Sequence, residues 1–131
     1  MPDATEQQKQ IRGILVRMML DLHSLVTSQG RPTEEMVVSF AVRLGQYEGK
    51  ALDASQIAAV TTLPRTSVLR HLSAMQVRGK VAQTRVGRRI VYYFKSSSNE
   101  TDSFFADAER VLRTAVGELS KMDTSPPRHK T

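Results

Sequence analysis

The sequence predicts a mostly helical α+β fold in which a single small β-hairpin interrupts a series of helices. Three observations carry that reading. Apolar residues recur at three- and four-residue steps through most of the chain, which is the period of a helix packed on one side. After Gly79 the pattern changes to two short runs rich in β-branched and aromatic residues with a glycine between them, the signature of a hairpin. The chain has 131 residues, 40% of them hydrophobic and 24% charged, so residues 1–131 are read as one ordinary domain able to build its own core.

The elements follow in order. Residues 5–28 predict a first helix, with Ile11, Leu15, Met18 or Met19, Leu22 and Val26 in step, and with Ile14, Leu20 and Leu25 widening the stripe. A stripe that broad predicts burial on two sides, against the rest of the chain and against a partner. Gly30, Arg31 and Pro32 break the helix. Thr33 reads as a cap followed by the acids Glu34 and Glu35 in the first turn of a second helix, which ends near Tyr47. Asp53 and Gln56 have capping-box spacing and open a short third helix with Ile57, Ala58 and Val60 turned inward. The stretch from Thr61 to Pro64 is the next interruption, with proline expected in the first turn of a fourth helix. That helix carries Val68, Leu72 and Met75 on one face and stops near Gly79. Two short helices joined by a tight turn make a helix-turn-helix candidate.

Strands are predicted at Val81 to Val86 and Arg89 to Phe94, with Gly87 in the turn and Arg85, Arg88 and Arg89 clustered at the tip. A polar linker, Lys95 to Asn99, leads to a last helix over residues 102–122. Phe105, Ala108, Leu112, Ala115, Leu119 and Met122 form a coiled-coil-like seam along it. A disordered tail is expected over residues 123–131.

Charge is the most informative part of the composition. The chain has 19 Lys and Arg against 13 Asp and Glu, a net charge of +6. Residues 54–99 hold eight of the bases and none of the acids, so that third carries +8 and the remainder −2. An excess gathered in one stretch is the footprint of a surface that binds a polyanion; the plain alternative is a solvated basic face. The chain has no cysteine, which excludes thiolate metal sites, cysteine nucleophiles and disulfides and fits a reducing, cytoplasmic setting. No apolar run approaches the roughly 20 residues of a membrane helix, so no membrane partner is expected. The polar segment Met1 to Gln10 predicts no signal peptide.

A helix-turn-helix followed by a basic hairpin is the winged-helix arrangement, and the residues resemble known regulators. The run Thr66-Ser-Val-Leu-Arg-His-Leu-Ser-Ala-Met75, then Arg78-Gly-Lys-Val81, resembles the recognition helix of ArsR-type repressors. Arg85-Val-Gly-Arg-Arg-Ile-Val-Tyr-Tyr93 resembles the wing of the same family. MarR-type regulators share this layout, and Leu63-Pro-Arg-Thr66 is similar to IclR-type DNA-binding domains. The resemblance spans residues 52–95 and is architectural elsewhere. It implies a winged helix-turn-helix flanked by dimerisation helices, in a bacterial or archaeal regulator that binds double-stranded DNA as a homodimer.

Physical reasoning places the contacts on the same elements. With Val68, Leu72 and Met75 inward, the opposite face of the fourth helix presents Thr66, Arg70, Ser73 and Val77, flanked by Ser67, Leu69 and Ala74. Such a face fits the major groove, with Arg70 suited to guanine, Thr66, Ser67 and Ser73 to bases or phosphates, and Leu69 to a thymine methyl. Arg65 sits at the helix start, within reach of base or backbone. Arg85, Arg88 and Arg89 on the wing are expected to meet phosphates or a neighbouring minor groove. Ile11, Leu15 and Leu22 on the first helix, with Phe105, Leu112 and Leu119 on the last, are the candidate dimer contacts, making the chain its own partner.

His71 lies at the boundary of the core and reads as a packed, hydrogen-bonded histidine. His23 and His129 do not join it in a metal set. Many ArsR-type proteins sense metals through cysteines on the third helix or Asp, His and Glu on the last; here the third helix has no cysteine and the last no histidine, so neither a metal nor another cofactor is expected. No residue set points to a particular small-molecule or protein effector. Without a glycine-rich phosphate loop or a Ser, His and acid grouping, no enzyme is expected. The leading reading is a sequence-specific transcriptional regulator, a repressor on a palindromic operator. The alternatives are a winged-helix module that binds an acidic protein and a DNA-binding factor of replication or plasmid maintenance.

Overall fold

In the computed structural model, residues 4–96 and 98–123 are described. They form α1 (Glu6–Thr27), α2 (Thr33–Tyr47), β1 (Leu52–Asp53), α3 (Ala54–Thr61), α4 (Arg65–Val77), β2 (Val81–Val86), β3 (Arg89–Phe94) and α5 (Asn99–Asp123). The chain divides into two compact units, residues 30–98 and the pair α1 with α5.

The unit of residues 30–98 has a continuous apolar core. Val38, Ala41 and Val42 of α2, Ile57 of α3, Val68, Leu72 and Met75 of α4, and Val81, Tyr92 and Phe94 of the strands meet in it. Full burial of such side chains is worth roughly 1.5–3 kcal/mol each, so this cluster fixes the mutual placement of the helix-turn-helix and the sheet. The three residues assigned inward on α4 are the three that it buries.

Local signals explain most element ends. Asp53 and Gln56 form the expected capping box: Gln56 N donates to Asp53 Oδ1 at 2.8 Å and Asp53 N donates to Gln56 Oε1 at 3.0 Å. Thr62 closes α3 at φ 60°, a left-handed conformation that β-branched residues rarely adopt. Pro64 is the N-cap of α4, one position before the first turn in which it was expected, and Pro32 rather than Thr33 is the N-cap of α2. Both prolines are extended and offer no side-chain acceptor. Helices α2 and α4 end alike, each on a glycine at positive φ (Gly49, Gly79). Lys50 N donates to Gly45 O and Lys80 N to Met75 O, the backbone closure of a Schellman motif.

The sheet departs from the sequence expectation by one strand. β1 joins the hairpin, giving the order β1-β3-β2 with all pairs antiparallel. Two residues are too short for an alternation to show, so the central strand recruits β1 through Leu52↔Tyr92 and Asp53↔Val91. Gly45 makes room for the chain that delivers it: a Cβ there would lie 2.9 Å from Lys50 O and 3.0 Å from Leu52 Cγ. The hairpin has the expected limits, and its turn is Gly87-Arg88, with Gly87 at φ 63°.

The second unit pairs α1 with α5. α1 opens on a capping box made by Thr5 and Gln8, a signal the apolar spacing did not provide. α5 begins at Asn99, three residues before the expected start, with Glu100 and Asp102 in its first turn where acids favour the helix. The tail predicted for residues 123–131 lies outside the described residues apart from the backbone of Asp123, which ends α5.

Gly45→Ala is expected to lower unfolding free energy by about 1–3 kcal/mol, because the backbone groups Lys50 O and Leu52 N, 2.9 and 3.1 Å from the new methyl, cannot readily withdraw. Gly117→Ala, on α5 with nothing within 4 Å of the new methyl, should raise it by up to about 1 kcal/mol. Urea titrations of the two variants, read as shifts of the midpoint at constant slope, check both.

Candidate nucleic-acid interface

Helix α4 turns its buried edge to the core and leaves Arg65, Thr66, Arg70, Ser73 and Val77 exposed, Val77 at 87%. Ser67 is half-buried, and Leu69 is half-buried with its side chain packed against the core. The exposed face carries no acid, but Glu34 in the first turn of α2 reaches α4, and Glu35 reaches its C-cap residue Arg78. Glu34 Oε1 lies 3.1 Å from His71 Nε2 and 3.8 Å from Arg70 Nη2. The Arg70 contact is long and solvent-exposed, a pair of little energetic weight. His71 is 12% exposed and occupies the hydrogen-bonded boundary position expected of it.

Glu35 is the polar residue that sequence reasoning missed. Its carboxylate is 5% exposed and accepts from Arg78 Nη2 at 2.6 Å, with Arg31 Nη1 at 3.7 Å. A buried carboxylate requires such partners. The sequence did hold a signal, since Glu35 shares a helical face with Val38 and Val42, where an acid needs a cation.

On the wing, strand alternation separates the arginines. Arg85 pairs with Ile90 and Arg89 with Val86, so Arg85 and Arg89 leave opposite faces of the hairpin while Arg88 sits in the turn. Arg89 Nε donates to Asp53 Oδ2 at 3.0 Å, and its Nη2 donates to Gln56 Oε1. Arg65 Nε donates to Ser55 Oγ at 3.3 Å. Among the described residues no carboxylate lies within ion-pair distance of Arg65, Lys80, Arg85, Arg88 or Lys95. The structure therefore brings Thr66, Arg70 and Ser73 onto one exposed helix face, sets Arg65 at the start of α4 beside Ser55, leaves Arg85 and Arg88 exposed on the wing, and engages Arg89 next to the wing's turn.

Asp53 is the titratable group most altered by this environment. The Gln56 backbone N–H holds its carboxyl below the ordinary value of 3.8; burial opposes this, and the hydrogen bond and charge of the Arg89 guanidinium add to the lowering.

Of the candidate dimer residues, Ile11, Leu15, Leu22 and Leu119 are half-buried and Phe105 and Leu112 are exposed. Val16, Met19 and Leu20 on α1 and Val116 on α5 are exposed as well. Within the helical pair, Ile14, Met18, Val111, Ala115 and Met122 line a hollow of about 560 Å³. Among the described residues no group of His, Asp and Glu could hold a metal ion, and no helix is long and apolar enough to cross a membrane.

No protein-family model and no curated protein matches the sequence. Solved structures do. A MarR-family protein from Bacillus stearothermophilus superposes with a TM-score of 0.53 at 16% identity, over 94% of this chain and 81% of that one. NadR in complex with 4-hydroxyphenylacetate gives 0.55 at 13%, over 93% and 86%. BpsR of Bordetella bronchiseptica, whose DNA binding is regulated by 6-hydroxynicotinic acid, gives 0.50 at 14%, over 88% and 85%. At these identities the likeness is one of fold: the chain has the winged-helix architecture of MarR-type regulators, and the resemblance to ArsR-type sequences has no counterpart in these structures.

Because the folded-state pKa of Asp53 is depressed, its contribution to stability is complete above 3.8 and is lost as pH falls through the lower folded value. Asp53→Asn, which can still cap α3, should show a smaller loss of stability than the parent between about pH 5 and pH 2. Urea midpoints of both proteins across that range provide the comparison.

Proposed function

We propose that this protein is a DNA-binding transcriptional regulator acting as a homodimer on a palindromic operator in the cytoplasm, most simply as a repressor. The observation that carries the reading is the acid-free exposed face of α4 beside a wing whose Arg85 and Arg88 extend with no carboxylate partner among the described residues. A helix of that width and polarity fits the major groove, where Arg70 can pair in bidentate fashion with guanine and Thr66 and Ser73 can meet base edges or phosphates. Arg65 and Ser67 then lie toward the backbone, and Leu69 offers only the rim of its side chain to a thymine methyl. Arg85 and Arg88 hold the adjacent phosphates and orient the domain without reading much sequence.

The dimer is supported by the helical pair. α1 buries no residue and Ala115 is the buried hydrophobic of α5 among the described residues. Two helices with so little buried between them and with Met19, Leu20, Leu112 and Val116 exposed suit a second copy related by a two-fold axis. Such a dimer would set two α4 helices about one helical turn of DNA apart, roughly 34–36 Å. The transcriptional role is supported by solved structures of this fold that are described as transcriptional regulators.

Selection of bound duplexes from a random pool is the direct test: an inverted repeat is expected, and recovery of no preferred sequence would remove the operator. Arg70→Ala should cost about 1–3 kcal/mol at a cognate site and relax base preference there. Arg88→Ala should weaken all sequences alike and make the slope of log K against log salt shallower by about 0.9 for each phosphate no longer neutralised, from a parent slope near −7 if about four phosphates are neutralised per protomer. Leu112→Glu should shift the protein to monomer in sedimentation equilibrium and abolish operator binding at concentrations where the parent is saturated.

A further inference from the structure

Arg89 is placed by the sheet in a way its neighbours on the wing are not. It is the first residue of the central strand, and its register partner is Val86. Asp53 is paired with Val91 on the opposite edge of the same strand. Arg89 and Val91 are two apart and share a face, so Arg89 is the diagonal neighbour of Asp53 across β1 and β3. That geometry brings its guanidinium onto the capping box of α3.

The resulting hydrogen bonds form a closed set. Gln56 N donates to Asp53 Oδ1, Asp53 N donates to Gln56 Oε1, Arg89 Nε donates to Asp53 Oδ2, and Arg89 Nη2 donates to the same Gln56 Oε1. One planar fork thus spans the carboxylate and the amide that start the helix-turn-helix. β1 is only two residues long, so few backbone bonds tie the wing's root to α3. Every residue from Gln83 to Ile90 is exposed, which leaves the turn half of the hairpin without core packing of its own. A bidentate arginine next to the turn of that hairpin, tied to the start of α3, supplies the direction that packing does not.

We propose that Arg89 is a positioning residue for DNA binding: it fixes the wing to the N-terminus of α3 so that Arg85 and Arg88 lie where phosphates pass beside α4, and it does not itself contact DNA. This role rests on the protein being a DNA-binding regulator. It separates three wing arginines that look equivalent in sequence into two that meet the backbone and one that aims them.

The two roles predict opposite signs for one substitution. Asp53→Asn keeps a capping acceptor but replaces the carboxylate oxygen that Arg89 uses with an amide. If Arg89 positions the wing, Asp53→Asn weakens binding of the selected duplex by on the order of tenfold, the scale of one hydrogen bond to a charged group. Arg89→Gln gives a similar loss, and the double variant loses no more than either single one. If Arg89 contacts phosphate, Asp53→Asn releases it and removes a nearby negative charge, so binding tightens. Arg89→Lys supplies a second discrimination that does not alter α3. A lysine keeps the charge a phosphate needs but lacks the fork that spans Asp53 and Gln56, so positioning predicts a loss like that of Arg89→Gln and phosphate contact predicts near-parental affinity.

All titrations use the full chain and a fluorescent duplex, well below the melting temperature of each variant. A purely structural role would lower melting temperature and leave affinity unchanged, and that result overturns the proposal, as does tighter binding by Asp53→Asn or parental binding by Arg89→Lys. Failure of the parent to bind any duplex would overturn DNA binding and the positioning role together, whereas parental binding with the wrong variant pattern overturns the positioning role alone.

Discussion

The unit of residues 30–98 depends on β3. It is the central strand, paired on one edge with the two residues of β1 and on the other with the full length of β2. Val91, Tyr92 and Phe94 are buried, the last two in the same cluster as the inward faces of α2, α3 and α4. Its far end is held by α2 as well: Phe94 N donates to Gln46 Oε1 at 2.7 Å, Gln46 Nε2 donates to Phe94 O, and Arg43 stacks over the Phe94 ring at 3.9 Å. Through one strand, the wing, the start of α3 and the end of α2 share a common frame. The exposed face of α4 acquires a fixed relation to the wing because both are referred to β3.

Electrostatics then sort the basic residues by role. Acids from outside the basic stretch, Glu34, Glu35 and Asp53, meet Arg70 and His71, Arg78, and Arg89 respectively. The Glu35 and Asp53 contacts are close, the first partly buried and the second solvent-exposed, and both are charge-assisted hydrogen bonds. The Glu34 contact with Arg70 is long and exposed, so Arg70 gives up little on leaving it. Arg65, Lys80, Arg85, Arg88 and Lys95 lie beyond reach of these acids. The charge excess visible in composition is thereby divided into an inner part that holds elements together and an outer part that faces solvent.

The helical pair follows a different rule. Its apolar residues are spread around α1 instead of gathered on one face, with Ile14 and Met18 turned to α5 and Val16, Met19 and Leu20 turned outward. In residues 30–98 the hydrophobic effect closes a core, whereas α1 and α5 keep Val16, Met19, Leu20, Leu112 and Val116 exposed.

What the sequence determined by itself is what local physics encodes. The hairpin limits, the capping box of Asp53 and Gln56, the inward set Val68, Leu72 and Met75, and the stop of α4 at Gly79 follow from periodicity, caps and turn residues, each of which acts within a few positions. The winged-helix fold was legible from their order. Tertiary structure decided what depends on residues distant in sequence. β1 is too short to show a period and exists because β3 offers an edge. Glu35 is buried because Arg78, 43 positions away, accompanies it. Arg89 resembles Arg88 as a letter in a chain, yet strand alternation turns it toward Asp53, 36 positions earlier. Charge content is a property of sequence, whereas the partner of each charge is set by the direction its side chain leaves the backbone and by which element the fold has placed there.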